Sequence, residues 1–142
     1  MKYFFIALFS LSFVSIGQAE VDFKKDVLPV FEKHCMSCHR AAYKDPVRGR
    51  TKKPKSGYRM DSAEFLKGAG SENEVNIKDG DPENSPAYKY MLLPEDDDWA
   101  MPTKGDRVPK EDIAKVAEWI KAGAKFGDWK ETKFTPAGDK VE

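Results

Sequence analysis

The sequence has 142 residues, of which 40% are hydrophobic, and its 24 Lys and Arg are matched by 24 Asp and Glu. A balance this close to neutral argues against nucleic acid or a membrane surface as the main partner. A chain of this length is about one small domain that buries little surface for its size, a shortage that a large apolar cofactor at its centre would relieve.

The chain opens with a segment that reads as a leader rather than as fold. Met1-Lys2 gives a short positive start, Tyr3 to Ile16 is an almost unbroken apolar run, and Gly17-Gln18-Ala19 supplies the small residues of a cleavage site. Residues 1–19 are therefore expected to be a signal peptide cut after Ala19. Residues 20–125 form the expected domain, and residues 126–142 a C-terminal tail. The apolar run is shorter than the ~20 residues that cross a bilayer, which favours cleavage over an uncleaved anchor. Export to the periplasm follows as the expectation, with no stable membrane insertion once the leader is gone.

Phe23, Val27, Val30, Phe31 and His34 recur at helical spacing behind Asp22, a capping residue. The spacing predicts a first helix from Asp22 to Cys38, bent or divided at Pro29. That helix carries Cys35-Met36-Ser37-Cys38-His39. An exported chain usually joins two cysteines in a disulfide, but here they stand two residues apart with His directly after. Two thiols about one turn apart can add to the two vinyl groups of haem while the next imidazole coordinates its iron. Other uses fit less well. A thioredoxin-like dithiol wants a βαβ setting that this chain lacks, and a zinc site needs four ligands where the one further His is His34. A disulfide across two residues closes too small a loop to stabilise much. His34, next to Cys35, is tied to the same side as His39 and reads as a partly exposed helix-end residue.

Arg40 to Arg59 is expected to be a long loop, with Lys44, Arg48, Arg50, Lys52, Lys53, Lys55 and Arg59 against Asp45 alone. Asp61 begins a short helix to about Lys67, stopped by Gly68. Gly80 to Pro86 is turn chemistry, in which Ser85 suits an N-cap and Pro86 the first position of a helix from Ala87 to Leu93. Glu95 to Asp98 is a run of acids. Pro109 opens the last helix, with Glu111 and Asp112 near its N-terminus and Ile113, Val116, Ala117 and Ile120 as its apolar stripe; Gly123 ends it. The tail from Phe126 has Trp129 as its packing residue. No repeat and no convincing strand pair is visible, so the fold class is all-α. Either charged stretch, the basic loop or the acidic run, is a candidate docking surface beside the haem.

An electron-transfer haem usually takes a second ligand, His or Met, on its other face. Met1 leaves with the leader, and Met36 lies inside the attachment motif. Met60 and Met91 read as core residues. Met101 stands in the irregular segment Asp98-Trp99-Ala100-Met101-Pro102, where Pro102 disfavours helix; it is the candidate second ligand.

Taken together, these residues resemble the planctomycete-type cytochrome c domain, a branch of the monohaem class I c-type cytochromes. The resemblance runs from Phe23 to Ala124. It rests on Cys35-Met36-Ser37-Cys38-His39, Gly57-Tyr58-Arg59-Met60-Asp61, Lys67-Gly68, Gly80-Asp81-Pro82-Glu83-Asn84-Ser85, Met101-Pro102 and Trp119-Ile120-Lys121-Ala122-Gly123-Ala124. Two features depart from the pattern: the long basic loop from Arg40 to Ser56, and Ala69 where a second glycine is common. The resemblance implies one covalent haem c with Cys35 and Cys38 as attachment points and His39 and Met101 as axial ligands to iron. The function expected is single-electron transfer between redox proteins by Fe(II)/Fe(III) cycling. The alternatives are a haem enzyme or gas sensor with an exchangeable sixth ligand, and a haem-free redox or binding module. No acid, base and nucleophile constellation points to an enzyme acting on substrate.

Overall fold

The structure is a computed structural model and describes residues 20–68, 75–135 and 140–141. The expected signal peptide, residues 1–19, and Ala69 lie outside the described residues. Asp22 caps the first helical segment, its carboxylate accepting the Lys25 N–H at 2.9 Å. That segment is a π-helical turn, Phe23–Val27, leading into α1, Leu28–His34. The widened turn falls where Pro29 removes the donor that an α-helix would place against Lys25. The Leu28 N–H instead reaches five residues back to Phe23 O. The helix is in two pieces, as expected, but they meet between Val27 and Leu28, with Pro29 inside the first turn of α1, and the second piece ends at His34 and not at Cys38.

Between Arg40 and Arg59 the expected loop contains a hairpin. β1, Tyr43–Lys44, pairs antiparallel with β2, Thr51–Lys52. A strand pair this short leaves no alternation for a sequence pattern to display. A 3₁₀ turn, Lys55–Gly57, follows. α2, Ala63–Leu66, is capped by Ser62, whose hydroxyl accepts from Phe65 N–H at 3.3 Å. Asp61, the residue expected to begin that helix, is occupied elsewhere. A second 3₁₀ turn, Pro82–Asn84, precedes α3, Pro86–Leu92. Ser85 stands at the N-cap of α3, but its hydroxyl accepts from Lys78 N–H at 2.9 Å and donates to Asp81 O at 2.8 Å. It closes the preceding loop rather than the helix.

α4, Lys110–Lys121, buries Ile113, Val116, Trp119 and Ile120, with Ala117 only half-buried. Gly123, at φ 94°, ends it. The Gly123 N–H reaches Ile120 O and the Ala124 N–H reaches Trp119 O, both at 2.9 Å, the paired closure that a glycine in this position permits. The face of α4 packs on the π turn through a cluster of rings. Phe23 lies 5.0 Å from Trp119, 4.9 Å from Phe126 and 4.9 Å from Trp129, centroid to centroid, and Phe31 lies 6.0 Å from Trp119. Each such pair adds about 0.5–1.5 kcal/mol beyond area burial. The segment after Phe126 packs through Trp129 and is also stitched to the start of α2. Ala63 N–H donates to Lys130 O and Thr132 N–H to Asp61 O, both at 2.8 Å. Apart from the short hairpin the named elements among the described residues are helical, in keeping with the all-α fold class expected of the sequence.

Candidate functional site

α1 delivers the Cys-x-x-Cys-His segment at its C-terminus. Cys35 is the C-cap, and the N–H groups of Cys35 and Met36 both reach Phe31 O at 2.9 Å. Met36 is buried in the core and pins the turn. The segment then makes a helical turn of its own, with Cys38 N–H and His39 N–H both on Cys35 O, at 3.1 and 3.0 Å. The backbone positions of the two cysteines therefore stay one turn apart although the helix has ended. Both cysteines are free thiols. Cys35 is half-buried against the core, and Cys38 is exposed. Burial of its sulfur, helped by the neighbouring Cys38, pushes the Cys35 thiol up to about 12. A redox dithiol needs the opposite shift, toward thiolate.

His39 is held by backbone on both sides. Its Nδ1 faces Tyr58 O at 3.3 Å, and its own carbonyl accepts from Met60 N–H at 2.7 Å. A carbonyl can only accept, so Nδ1 carries the proton and Nε2 keeps its lone pair for a ligand bond. Desolvation lowers the pKa of His39, with the backbone bonds of Tyr58 and Lys55 acting against it. The net result favours the neutral imidazole that binds metal. Tyr58 is itself fixed, its buried hydroxyl donating to Leu66 O at 2.6 Å. Asp61 completes the frame. Its carboxylate accepts Arg59 Nε at 2.9 Å, Arg59 Nη2 at 3.0 Å and the Ala41 N–H at 2.8 Å. The chain that leaves His39 and the chain that returns to it are thus tied together.

Met101 stands on a separate loop, hung from α3 by its N–H on Tyr90 O at 2.9 Å, with a cis peptide to Pro102. No hydrogen bond joins it to the Cys35–His39 turn among the described residues. Met36, Met60 and Met91 belong to the buried core, whereas Met101 is only half-buried and lies outside it. Trp99 is 52% exposed and packs on Tyr90 with ring centroids 5.7 Å apart. Arg107 fixes the same region by donating from Nη2 to Met91 O and Leu93 O, at 2.9 and 2.8 Å. These are end carbonyls of α3 that lack helical partners. His34 is half-buried, its Nδ1 at 3.3 Å from Asp106 O. His34 Nε2 and Arg107 Nη1 are buried without a hydrogen-bond partner among the described residues.

The donor set fits a covalently attached haem: two free cysteines one turn apart along the backbone, an imidazole with Nδ1 engaged, and a half-buried thioether on another loop. Among the described residues no cluster of three or more His, Cys, Asp or Glu is placed to hold a metal ion. A surface cavity of about 390 Å³ lies along the acidic run, lined by Glu95, Asp98, Pro102 and Arg107 among others, and includes none of Cys35, Cys38 or His39. Sequence reasoning did not find Tyr58 O or the carboxylate of Asp61. The stretch Tyr58-Arg59-Met60-Asp61 stood out only as a pattern, and a backbone acceptor leaves no side-chain signature.

A family model described as Cytochrome c matches residues 29–124. No curated protein and no solved structure gives a match.

Proposed function

The chain belongs to the cytochrome c family, and from that premise we propose a periplasmic monohaem electron carrier, its haem attached through Cys35 and Cys38 and ligated by His39 and Met101. Family membership brings covalently bound haem c and haem-based electron transfer. The assignment of residues rests chiefly on the Cys35–His39 turn, in which Tyr58 O engages His39 Nδ1 and leaves Nε2 available. When bound, the haem supplies one-electron chemistry between Fe(II) and Fe(III).

The chain's own residues do the rest. Cys35 anchors against the core and Cys38 at the surface. Tyr58 O and Met60 N–H hold His39 from opposite ends of the residue, which limits ring rotation. Met101, the one methionine among the described residues that lies outside the core, is available as the second ligand, and the Tyr90 bond keeps its loop in place. The motifs from Gly57 to Asp61 and from Trp119 to Ala124 support assignment to the planctomycete-type branch. The apolar start supports export, with cleavage after Ala19 and a soluble mature domain whose partners are other redox proteins.

A pyridine haemochrome spectrum of protein made with the cytochrome c maturation machinery tests the reading. Haem should stay with the chain after denaturation, and its complete extraction would end the proposal. The ferric protein should also show the weak far-red band of His/Met ligation, and Met101→Ala should abolish it. A band that persists in the variant would remove Met101 from the site.

A further inference from the structure

The two proposed iron ligands stand on separate segments. His39 follows α1, and Met101 lies midway along the connection from α3 to α4, residues 93–109. The near half of that connection is well held. Asp97 N–H donates to Pro94 O at 3.1 Å, Ala100 N–H to Asp97 O at 3.0 Å and Met101 N–H to Tyr90 O at 2.9 Å, and Ala100 is buried. Beyond Met101 this support stops. Pro102 to Gly105 make no hydrogen bond among the described residues, and Gly105, at φ 82°, adds freedom there.

Two side chains hold the connection again before α4 begins. Arg107 ties it back to α3 through Met91 O and Leu93 O. His34 ties it to α1, with Nδ1 at 3.3 Å from Asp106 O. Residues 28–39 reach the connection by no other hydrogen bond among the described residues. A carbonyl only accepts, so Nδ1 is the protonated nitrogen in this bond. His34 Nε2 is buried without a partner among the described residues, so the ring's polar attachment is Asp106 O. His34 is also the last residue of α1, directly before Cys35, on a helix fixed in the core by Val30 and Phe31. The far half of the Met101 loop is thus tied to the same rigid element that carries the attachment cysteines.

We propose, on the reading of Met101 as the second ligand, that His34 is a positioning residue for Met101, its bond to Asp106 O keeping the far half of the ligand's loop closed. Without that bond the run from Pro102 to Asp106 has no hydrogen bond among the described residues. A thioether is a neutral ligand, and a competitor takes its place at iron whenever the loop is open. The competitor's apparent affinity then follows the open fraction. One hydrogen bond changes that fraction by about five- to tenfold.

Free imidazole tests this on the ferric holoprotein, its binding followed by loss of the weak far-red band. His34→Leu keeps a comparable volume without the donor, and His34→Asn keeps an amide N–H where Nδ1 stands. Imidazole should bind His34→Leu about five- to tenfold more tightly than the parent, while His34→Asn should stay within about twofold of the parent. A merely structural His34 would lower the urea midpoint of both variants without separating them in imidazole affinity. Parent-like affinity in His34→Leu, or a His34→Asn as loose as His34→Leu, overturns the positioning role and leaves Met101 as the ligand. Should neither variant accumulate as folded holoprotein, nitrogen NMR of the ferrous parent decides. The Nδ1–H tautomer of His34 supports the bond, and the Nε2–H tautomer overturns it. A parent without the far-red band, or a band that survives in Met101→Ala, fails the ligand reading itself and the role of His34 with it.

Discussion

Asp61→Ala removes the buried carboxylate that ties the two chains flanking His39. Asp61 is 3% exposed and accepts Arg59 Nε, Arg59 Nη2 and the Ala41 N–H at 2.8 to 3.0 Å. Alanine leaves the Ala41 N–H without its acceptor and Arg59 without its counter-charge. Its own carbonyl still accepts from Thr132 N–H, so the link to the C-terminal segment is kept. Breaking a buried pair from one side costs about 3–5 kcal/mol. The Arg59 side chain is 27% exposed and lies over the Phe65 ring at 4.0 Å, so water and the ring recover part of its charge. The lower end applies, about 3 kcal/mol. For a domain of this size that lowers Tm by roughly 10–15 °C. Urea unfolding of the holoprotein at neutral pH, followed by circular dichroism, measures the loss. A cycle with Arg59→Gln should give a coupling of about 2 kcal/mol. A loss under about 1 kcal/mol, or strict additivity in the cycle, would show the pair to be a solvated contact and refute the reasoning.

Tyr58→Phe removes the hydroxyl bonded to Leu66 O at 2.6 Å, and the unsatisfied carbonyl should cost about 1–2 kcal/mol in urea unfolding. The Tyr58 carbonyl at His39 is untouched, so the visible spectrum should match the parent; a shifted far-red band would contradict the division of roles. The hairpin should respond to acid through Asp45, whose carboxyl is held at about 2 against an ordinary 3.8, first by the Lys52 hydrogen bond and then by the Arg48 and Val47 amides. A depressed carboxyl stabilises the fold above its unfolded value and loses that effect as pH falls through the folded one. The Val47 and Arg48 amide resonances should therefore hold through pH 3.8 and move only as pH approaches 2. A midpoint at or above 3.8 would refute the arrangement, and Asp45→Asn should abolish the transition.

The motif from Cys35 to His39, the cap at Asp22, the stop at Gly123 and the odd position of Met101 are all legible in the sequence. Each depends on neighbours within about one helical turn or on the backbone preferences of Pro and Gly. Trp119 was less legible than its neighbours as a core residue, since the apolar stripe drawn through Ile113, Val116 and Ile120 took in Ala117 instead. The ring cluster that buries Trp119 includes Phe126 and Trp129, which follow the helix and lie on no helical stripe. The hairpin was hidden because its strands are two residues each.

What the sequence determined by itself was local chemistry: two thiols and an imidazole at a spacing suited to haem, and helices with marked ends. Only the tertiary structure decided what holds that imidazole. The acceptor for His39 Nδ1 is the backbone carbonyl of Tyr58, nineteen residues along the chain, and every residue carries such a carbonyl. Which one meets the ring depends on how the hairpin turns back and how Asp61 ties its two ends, a long-range closure that no side-chain pattern records.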